Sequence, residues 1–256
     1  MLLAADGIVP DWPAPPGVRS VFTTRAGGVS VPPFDSFNLG DHVRDEPLAV
    51  VANRERLAAF TAPARPVFLR QVHGTQVVHL DPETPNGTEA DGCVVNVPGV
   101  AATIMVADCL PVLFAHASGT TVAAAHAGWR GLAAGVLQAT ALAVRAAAGE
   151  GELMAWLGPC IGPKSFEVGA EVCEAFVNVD PDAVAHFWPN GEGKYLADLP
   201  ALARRALQAA GISDVHGNDG SEAWCTFADA SRFFSHRRDA ARLGSTGRMA
   251  ASIWIA

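Results

Sequence analysis

Three short stretches carry side chains that can ligate a metal or act as nucleophiles, and each falls where an apolar run gives way to a turn. In Gln71-Val72-His73-Gly74 a histidine precedes a glycine at the end of a strand-like segment. Ala107-Asp108-Cys109-Leu110-Pro111 puts a cysteine at the exit of the most apolar segment of the chain. Ala125-His126-Ala127-Gly128-Trp129-Arg130-Gly131 brings a histidine to a turn that opens a helix. Each alone has a plainer reading: a histidine bonded to backbone, an inert core thiol, a tight turn in which Trp129 packs. Together His73, Cys109 and His126 form a Cys-His₂ set, and catalytic zinc takes three protein ligands and keeps one position open. The same set suits a copper centre with Met105 as a further ligand, or a metal-free Cys-His nucleophile and base. The helix start after His126 offers free N–H groups to an anion, and Arg130 adds charge. A fourth region has five arginines (Arg232, Arg237, Arg238, Arg242, Arg248) within a short span beside Phe233 and Phe234, a composition that suits a base and a phosphate.

These ligands require elements that end at one cleft. Strands are expected at 19–24, 66–72, 76–80, 101–106, 111–115, 121–125, 153–157 and 250–255. The fourth of these is apolar but for Thr103 and reads as buried on both faces. Helices are expected at 48–60, 132–148, 167–176 and 200–210. The first should be capped by Asp45, with Leu48, Val51, Ala52 and Leu57 as its apolar side; the last should end at Gly211. Strands and helices alternate irregularly, which indicates an α/β or α+β layered fold, with no convincing linker between residues 1 and 256.

Composition narrows the function. Of 256 residues half are apolar, and 18 basic against 26 acidic residues give a formal charge of −8. Such a chain is a poor nucleic-acid binder. Met1 to Gly7 does not read as a signal peptide, and no apolar run reaches the roughly 18 residues of a membrane span. Five scattered cysteines suggest reduced thiols, so a cytoplasmic location is expected.

The motifs Thr23-Thr24-Arg25-Ala26-Gly27-Gly28-Val29-Ser30, Asn38-Leu39-Gly40-Asp41-His42-Val43, Gln71-Val72-His73-Gly74, Ala90-Asp91-Gly92, Ala107-Asp108-Cys109-Leu110-Pro111, His126-Ala127-Gly128-Trp129-Arg130-Gly131, Gly158-Pro159-Cys160-Ile161-Gly162-Pro163 and Phe234-Ser235-His236-Arg237-Arg238-Asp239 resemble those of the YfiH/YlmD family. That family is also called laccase-type purine nucleoside phosphorylase, and was formerly labelled polyphenol oxidase. The chain departs from the pattern at Arg44, where a glycine is expected. The resemblance implies a layered α/β/β/α sandwich and zinc at His73, Cys109 and His126, with copper as the alternative metal. It implies phosphorolysis of adenosine, inosine, guanosine and methylthioadenosine, with some adenosine deamination. Arg25, Asn38, Arg130, Arg237 and Arg238 are the expected contacts to nucleoside and phosphate, in a monomer or weak oligomer. A second branch implies an amidase that edits a UDP-MurNAc-peptide precursor of peptidoglycan. A multicopper laccase is disfavoured by eight histidines with no His-x-His pair. A structural or storage zinc domain would need a fourth ligand, for which Cys160 is the choice.

Overall fold

The structure is a computed structural model that describes residues 7–256; the reading of the amino terminus as lacking a leader falls mostly outside them. The strands in chain order are β1 (Gly7–Ile8), β2 (Val18–Thr23), β3 (Arg65–Phe68), β4 (Val77–His79), β5 (Gly92–Val95), β6 (Val100–Val106), β7 (Leu110–His116), β8 (Val122–Ala127), β9 (Leu153–Leu157), β10 (Glu167–Gly169), β11 (Phe187–Pro189), β12 (Lys194–Ala197), β13 (Asp214–Gly217) and β14 (Met249–Ile255). The helices are α1 (Pro47–Thr61), α2 (Trp129–Ala134), α3 (Val136–Ala148), α4 (Ala170–Val177), α5 (Leu199–Ala209) and α6 (His236–Leu243).

Two mixed sheets face each other. One has the order β1-β2-β14-β6-β3, the other β13-β9-β7-β8-β5-β4, and a small sheet β10-β12-β11 stands apart. Pairing is antiparallel except for β3 with β6, β4 with β5 and β9 with β13. Between the large sheets lie Phe22, Val67, Ile104 and Ile253 from the first and Val95, Leu113, Ala124 and Trp156 from the second. The outer face of the second sheet buries Val112, Phe114 and Ala125 against Leu137, Ala141 and Val144 of α3 and Leu202 of α5. The outer face of the first buries Val21, Phe68 and Trp254 against Leu57 of α1, with Phe37 and Leu39. The result is the α/β/β/α sandwich. Every residue of β6, β7 and β8 is buried, because each of these strands is covered on both faces.

Several expected elements differ, each for a local reason. The strand expected at 66–72 stops at Phe68. Beyond it the Gln71 amide takes over the ladder, donating to Met105 O and accepting from Met105 N, both at 2.8 Å. The backbone is thereby free to turn at His73. The helix expected at 132–148 is two helices, broken at Gly135, whose φ of +98° lies in the left-handed region. Residues 167–169 are a strand paired with β12 rather than the first turn of a helix, and the helix begins at Ala170. The helix α1 is capped at Glu46 without a side-chain bond; Asp45 instead accepts bonds from Ser30 and Asn38. Its buried face is Val50, Asn53, Leu57 and Thr61, while Leu48 and Val51 point outward, 77% and 51% exposed. Asn53 explains the rotation. Its side chain accepts from Val29 N and its two amide hydrogens are shared among Ser30 Oγ, Asn38 O and, at 3.2 Å, Ser36 O, and this full satisfaction of a buried amide outweighs two exposed aliphatic side chains.

No helix among the described residues is long and apolar enough to cross a membrane.

Candidate metal centre

The site lies where the chain crosses from one sheet to the other. After β6 of the first sheet, three residues suffice to enter β7 of the second. Asp108 makes that corner at φ +85°, a conformation costly for a residue with a Cβ and held here by three bonds. Its carboxylate accepts from Thr226 Oγ1 at 2.6 Å, Ser235 Oγ at 3.0 Å and Arg237 N at 2.6 Å. Asp108 thus aims the neighbouring Cys109 and ties the carboxy-terminal segment to the site.

His73 is also in the left-handed region, at φ +63°, and Asp91 holds it there. The fully buried Asp91 carboxylate accepts from Val72 N at 3.1 Å, His73 N at 2.9 Å and Gly74 N at 2.7 Å. It also lies 2.8 Å from His126 Nδ1. One carboxylate therefore fixes the loop of one histidine and the ring of the other. With Nδ1 engaged, His126 presents Nε2 towards Cys109. Such carboxylate–histidine pairs orient the ligand ring and fix its tautomer.

The ligating atoms of His73, Cys109 and His126 lie within 4.8 Å of one another. Cys109 Sγ is 3.8 Å from His73 Nε2, and the two imidazole rings meet edge to face, 4.7 Å between centroids. Gly128 is required by this crowding: a Cβ there would sit 2.8 Å from the His73 ring and 3.1 Å from Cys109 Sγ. Burial alone would raise the Cys109 thiol, but the charge and hydrogen bond of His126, with those of His73, bring it down to about 6. Burial would likewise lower His126, but the Cys109 charge and the bond to Asp91 push it up to about 9. Cys93, by contrast, is pushed up to about 12 by burial. The coupling favours a thiolate at Cys109 beside an imidazolium at His126, and a metal ion bound there would take the place of the imidazolium proton. Two nitrogens and a thiolate, with His126 buried, Cys109 half-buried and His73 exposed, fit a metal ion with a position left open to solvent.

That open side is a cavity of about 670 Å³, within the range of small-molecule sites. All three ligands line it, together with His42, Arg54, Phe68, Phe166, Arg237 and Arg248. The remaining expected contacts lie elsewhere. Arg25 donates to Asp35 O and Ala230 O and pairs with Asp35. Arg130 stacks on Trp129, 4.4 Å from the ring centroid. Arg238 is consumed by Asp239 and the carbonyls of Thr226, Phe227 and Phe233. Asn38 is buried beneath the cavity wall, bonded to Gly40, Asp45 and Arg248 N. Arg237 alone of these five faces the cavity, with one bond to Glu167 O. Cys160 is buried, bonded to Ile161 O and Asn218, and does not join the three ligands. Met105 turns its sulfur to Arg54, at 4.0 Å. Arg44, the departure from the family pattern, sits at φ +71°, which explains a glycine preference there; its guanidinium bonds Gly244 O.

Arg54 was not singled out by the sequence, Arg248 stood only as one of the five arginines of the 232–248 region, and Asp91 carried no assigned role. Asp91 bonds mostly to main-chain amides, which leave no partner residue to notice. Its one available signal was its place in the Ala90-Asp91-Gly92 motif.

A layered α/β/β/α sandwich with a His-Cys-His centre at the crossing between its sheets is the class this molecule defines. The chain belongs to the family described as multi-copper polyphenol oxidoreductase laccase, whose model matches residues 19–256. It is 50% identical over 249 residues to purine nucleoside phosphorylase YfiH of Escherichia coli, covering 97% of this chain and 98% of that one. It is 46% identical to a purine nucleoside phosphorylase of Haemophilus influenzae, with the same coverage. Among solved structures, a Neisseria meningitidis protein superposes with a TM-score of 0.89 at 46% identity, covering 98% of this chain and 99% of that one. YlmD from Geobacillus stearothermophilus superposes with a TM-score of 0.86 at 32% identity, covering 95% and 93%. Among the described residues a single group of three such side chains gathers, one that could hold a metal ion.

Proposed function

We propose that the protein is a zinc-dependent purine nucleoside phosphorylase acting on adenosine, inosine, guanosine and methylthioadenosine, with adenosine deamination as a side activity. The observation that carries this reading is the joining of three ligand atoms to a cavity of nucleoside size whose wall combines aromatic faces with guanidinium groups. The names of the relatives point the same way. In phosphorolysis the bond from ribose C1′ to the purine nitrogen breaks with its electron pair going to the base. A phosphate oxygen bonds to C1′, and the base takes up a proton. Phe68 and Phe166 offer faces to the purine, and Arg237 offers positive charge to the anionic reactant. His73, the exposed member of the three, is the ligand nearest solvent and the cavity. Zinc bound by His73, Cys109 and His126, with copper as the alternative, would supply Lewis-acid polarisation of an oxygen in the open position. Asp91 keeps the His126 ring in place for that role. We place the reaction in the cytoplasm, in a monomer or weak oligomer.

The test follows hypoxanthine from inosine and adenine from adenosine, using purified protein of measured zinc content. Base release that needs both phosphate and bound zinc is expected. No release from zinc-replete protein would sink the phosphorylase reading and leave amide hydrolysis of a UDP-MurNAc-peptide, measured as free amino acid, as the reading to pursue.

A further inference from the structure

The segment Asn38-Leu39-Gly40-Asp41-His42 supplies no ligand to the three-residue centre, yet it is built around one residue from the far end of the chain. Asn38 Oδ1 accepts from Arg248 N at 2.8 Å, and Leu39 N donates to Arg248 O at 3.0 Å. A Cβ on Gly40 would lie 2.7 Å from Arg248 Cγ, so the glycine leaves room for the arginine stem. Arg248 Nη1 donates to the carbonyls of Thr246 and Gly247 at 3.0 and 3.1 Å. These contacts fix one edge of the guanidinium while the side chain lines the same cavity as Cys109, His73 and His126.

Of the other arginines of that wall, Arg237 is exposed and gives one donor to Glu167 O. Arg54 pairs with Asp41 at 3.2 Å, and Arg70 pairs with Glu89. For Arg248, no carboxylate among the described residues lies within 4.0 Å. Asp108 and the Cys109 thiolate attract it from a distance, and a half-buried guanidinium with no anion in direct contact gains from one that arrives to pair with it. Its planar fork matches two oxygens of a phosphate group.

We propose that Arg248 is the anion anchor of this cavity, binding inorganic phosphate through the guanidinium edge that Thr246 and Gly247 leave open, with Asn38 and Gly40 as its positioning residues. The choice of free phosphate rests on the phosphorolysis reading; the anchor itself rests on the geometry. The asparagine-to-histidine motif and the terminal Gly247-Arg248 pair, far apart in sequence, are then two halves of one device.

The experiment titrates the zinc-loaded protein with inorganic phosphate at fixed ionic strength by calorimetry. In R248M the Kd for phosphate should rise at least about tenfold, and R248K should recover part of the loss, because lysine restores charge but not the fork. In G40A the arginine is retained but displaced, and the Kd should rise about threefold or more. In steady state the KM for phosphate should rise in both variants while that for inosine changes little. Phosphate affinity in R248M equal to that of the parent overturns the anchor even if base release is phosphate-dependent. If R248M fails to fold or loses zinc, G40A decides, and unchanged phosphate affinity there overturns the proposal. Phosphate binding that requires Arg248 in a protein releasing no base keeps the anchor and sinks phosphorolysis instead. Binding of uridine diphosphate through Arg248, with no binding of inorganic phosphate, overturns the assignment to free phosphate.

Discussion

The metal corner and the arginine-rich segment 232–248 lie against the same cavity but follow opposite logics. At the corner, three residues from three separate turns converge: Asp91 holds the left-handed turn at His73 and the His126 ring, and Asp108, itself in a left-handed turn, binds Thr226, Ser235 and Arg237 N. In the segment, five cations are close in sequence, yet they diverge in space. Arg238 is an internal strut, Arg232 lies over Phe233 and Arg242 leans towards Asp239, while Arg237 and Arg248 face the cavity. Rare ligand types announce themselves by identity, whereas arginines are distinguished only by what the fold gives them to bond. Adjacent residues on a helix point in different directions, so Arg237 and Arg238 can share a motif and have unrelated roles.

The comparison breaks most visibly at Asp91. Asp91→Ala removes the acceptor for the N–H groups of Val72, His73 and Gly74 and the buried partner of the His126 ring, and should cost about 3–5 kcal/mol of stability, read from chemical denaturation. The milder Asp91→Asn should weaken metal affinity by roughly 10–100-fold, read by competition with a chelator. An unchanged affinity would mean that the carboxylate shapes the loop alone.

Next in size is the contrast between neighbours. Arg238→Ala strands the buried Asp239 carboxylate and should cost about 3 kcal/mol. Arg237→Ala should change stability by less than about 0.5 kcal/mol but raise the KM for phosphate. Equal effects on stability would erase the distinction drawn between the two.

A smaller effect concerns pH. Burial alone would raise the Asp239 carboxyl, but the hydrogen bonds and charge of Arg238 hold it below its ordinary value. A carboxyl depressed on folding contributes stability that is fully present above its unfolded value, near ~3.9, and is lost as pH falls through the folded one. The Tm difference between the parent and Asp239→Asn should therefore be flat from about pH 5 to 7 and shrink below about pH 4. A difference that grows on acidification would contradict the pairing.

The smallest effect tests the rotated face of α1. Leu48→Ser and Val51→Ser should each cost less than about 0.5 kcal/mol, while Leu57→Ala should cost about 2–5 kcal/mol.

Much of the fold was legible because hydrophobic pattern dictates it. The run of β6, apolar but for Thr103, reads as a doubly covered strand, and β9 matches its expected range of 153–157. What stayed hidden involves polar groups that stand in for regular structure. The Gln71 amide ends β3, and the buried Asn53 turns α1 against its own apolar pattern. The β10-β12-β11 sheet was missed because its strands are three or four residues long, too short for a period to register. In the site, ligand types at strand exits pointed to His73, Cys109 and His126. Which arginine accompanies them depends on contacts hundreds of residues apart, such as Asn38 with Arg248, and no local pattern encodes those.

The central claim is that one metal ion, held by His73, Cys109 and His126, makes this cavity an active site. The most direct measurement titrates metal-stripped protein with zinc while following phosphate-dependent release of hypoxanthine from inosine, with Cys109→Ala run alongside. Activity should rise in proportion to bound zinc up to one ion per chain and be absent from the variant. Full activity in metal-free protein, or in Cys109→Ala, would contradict the account.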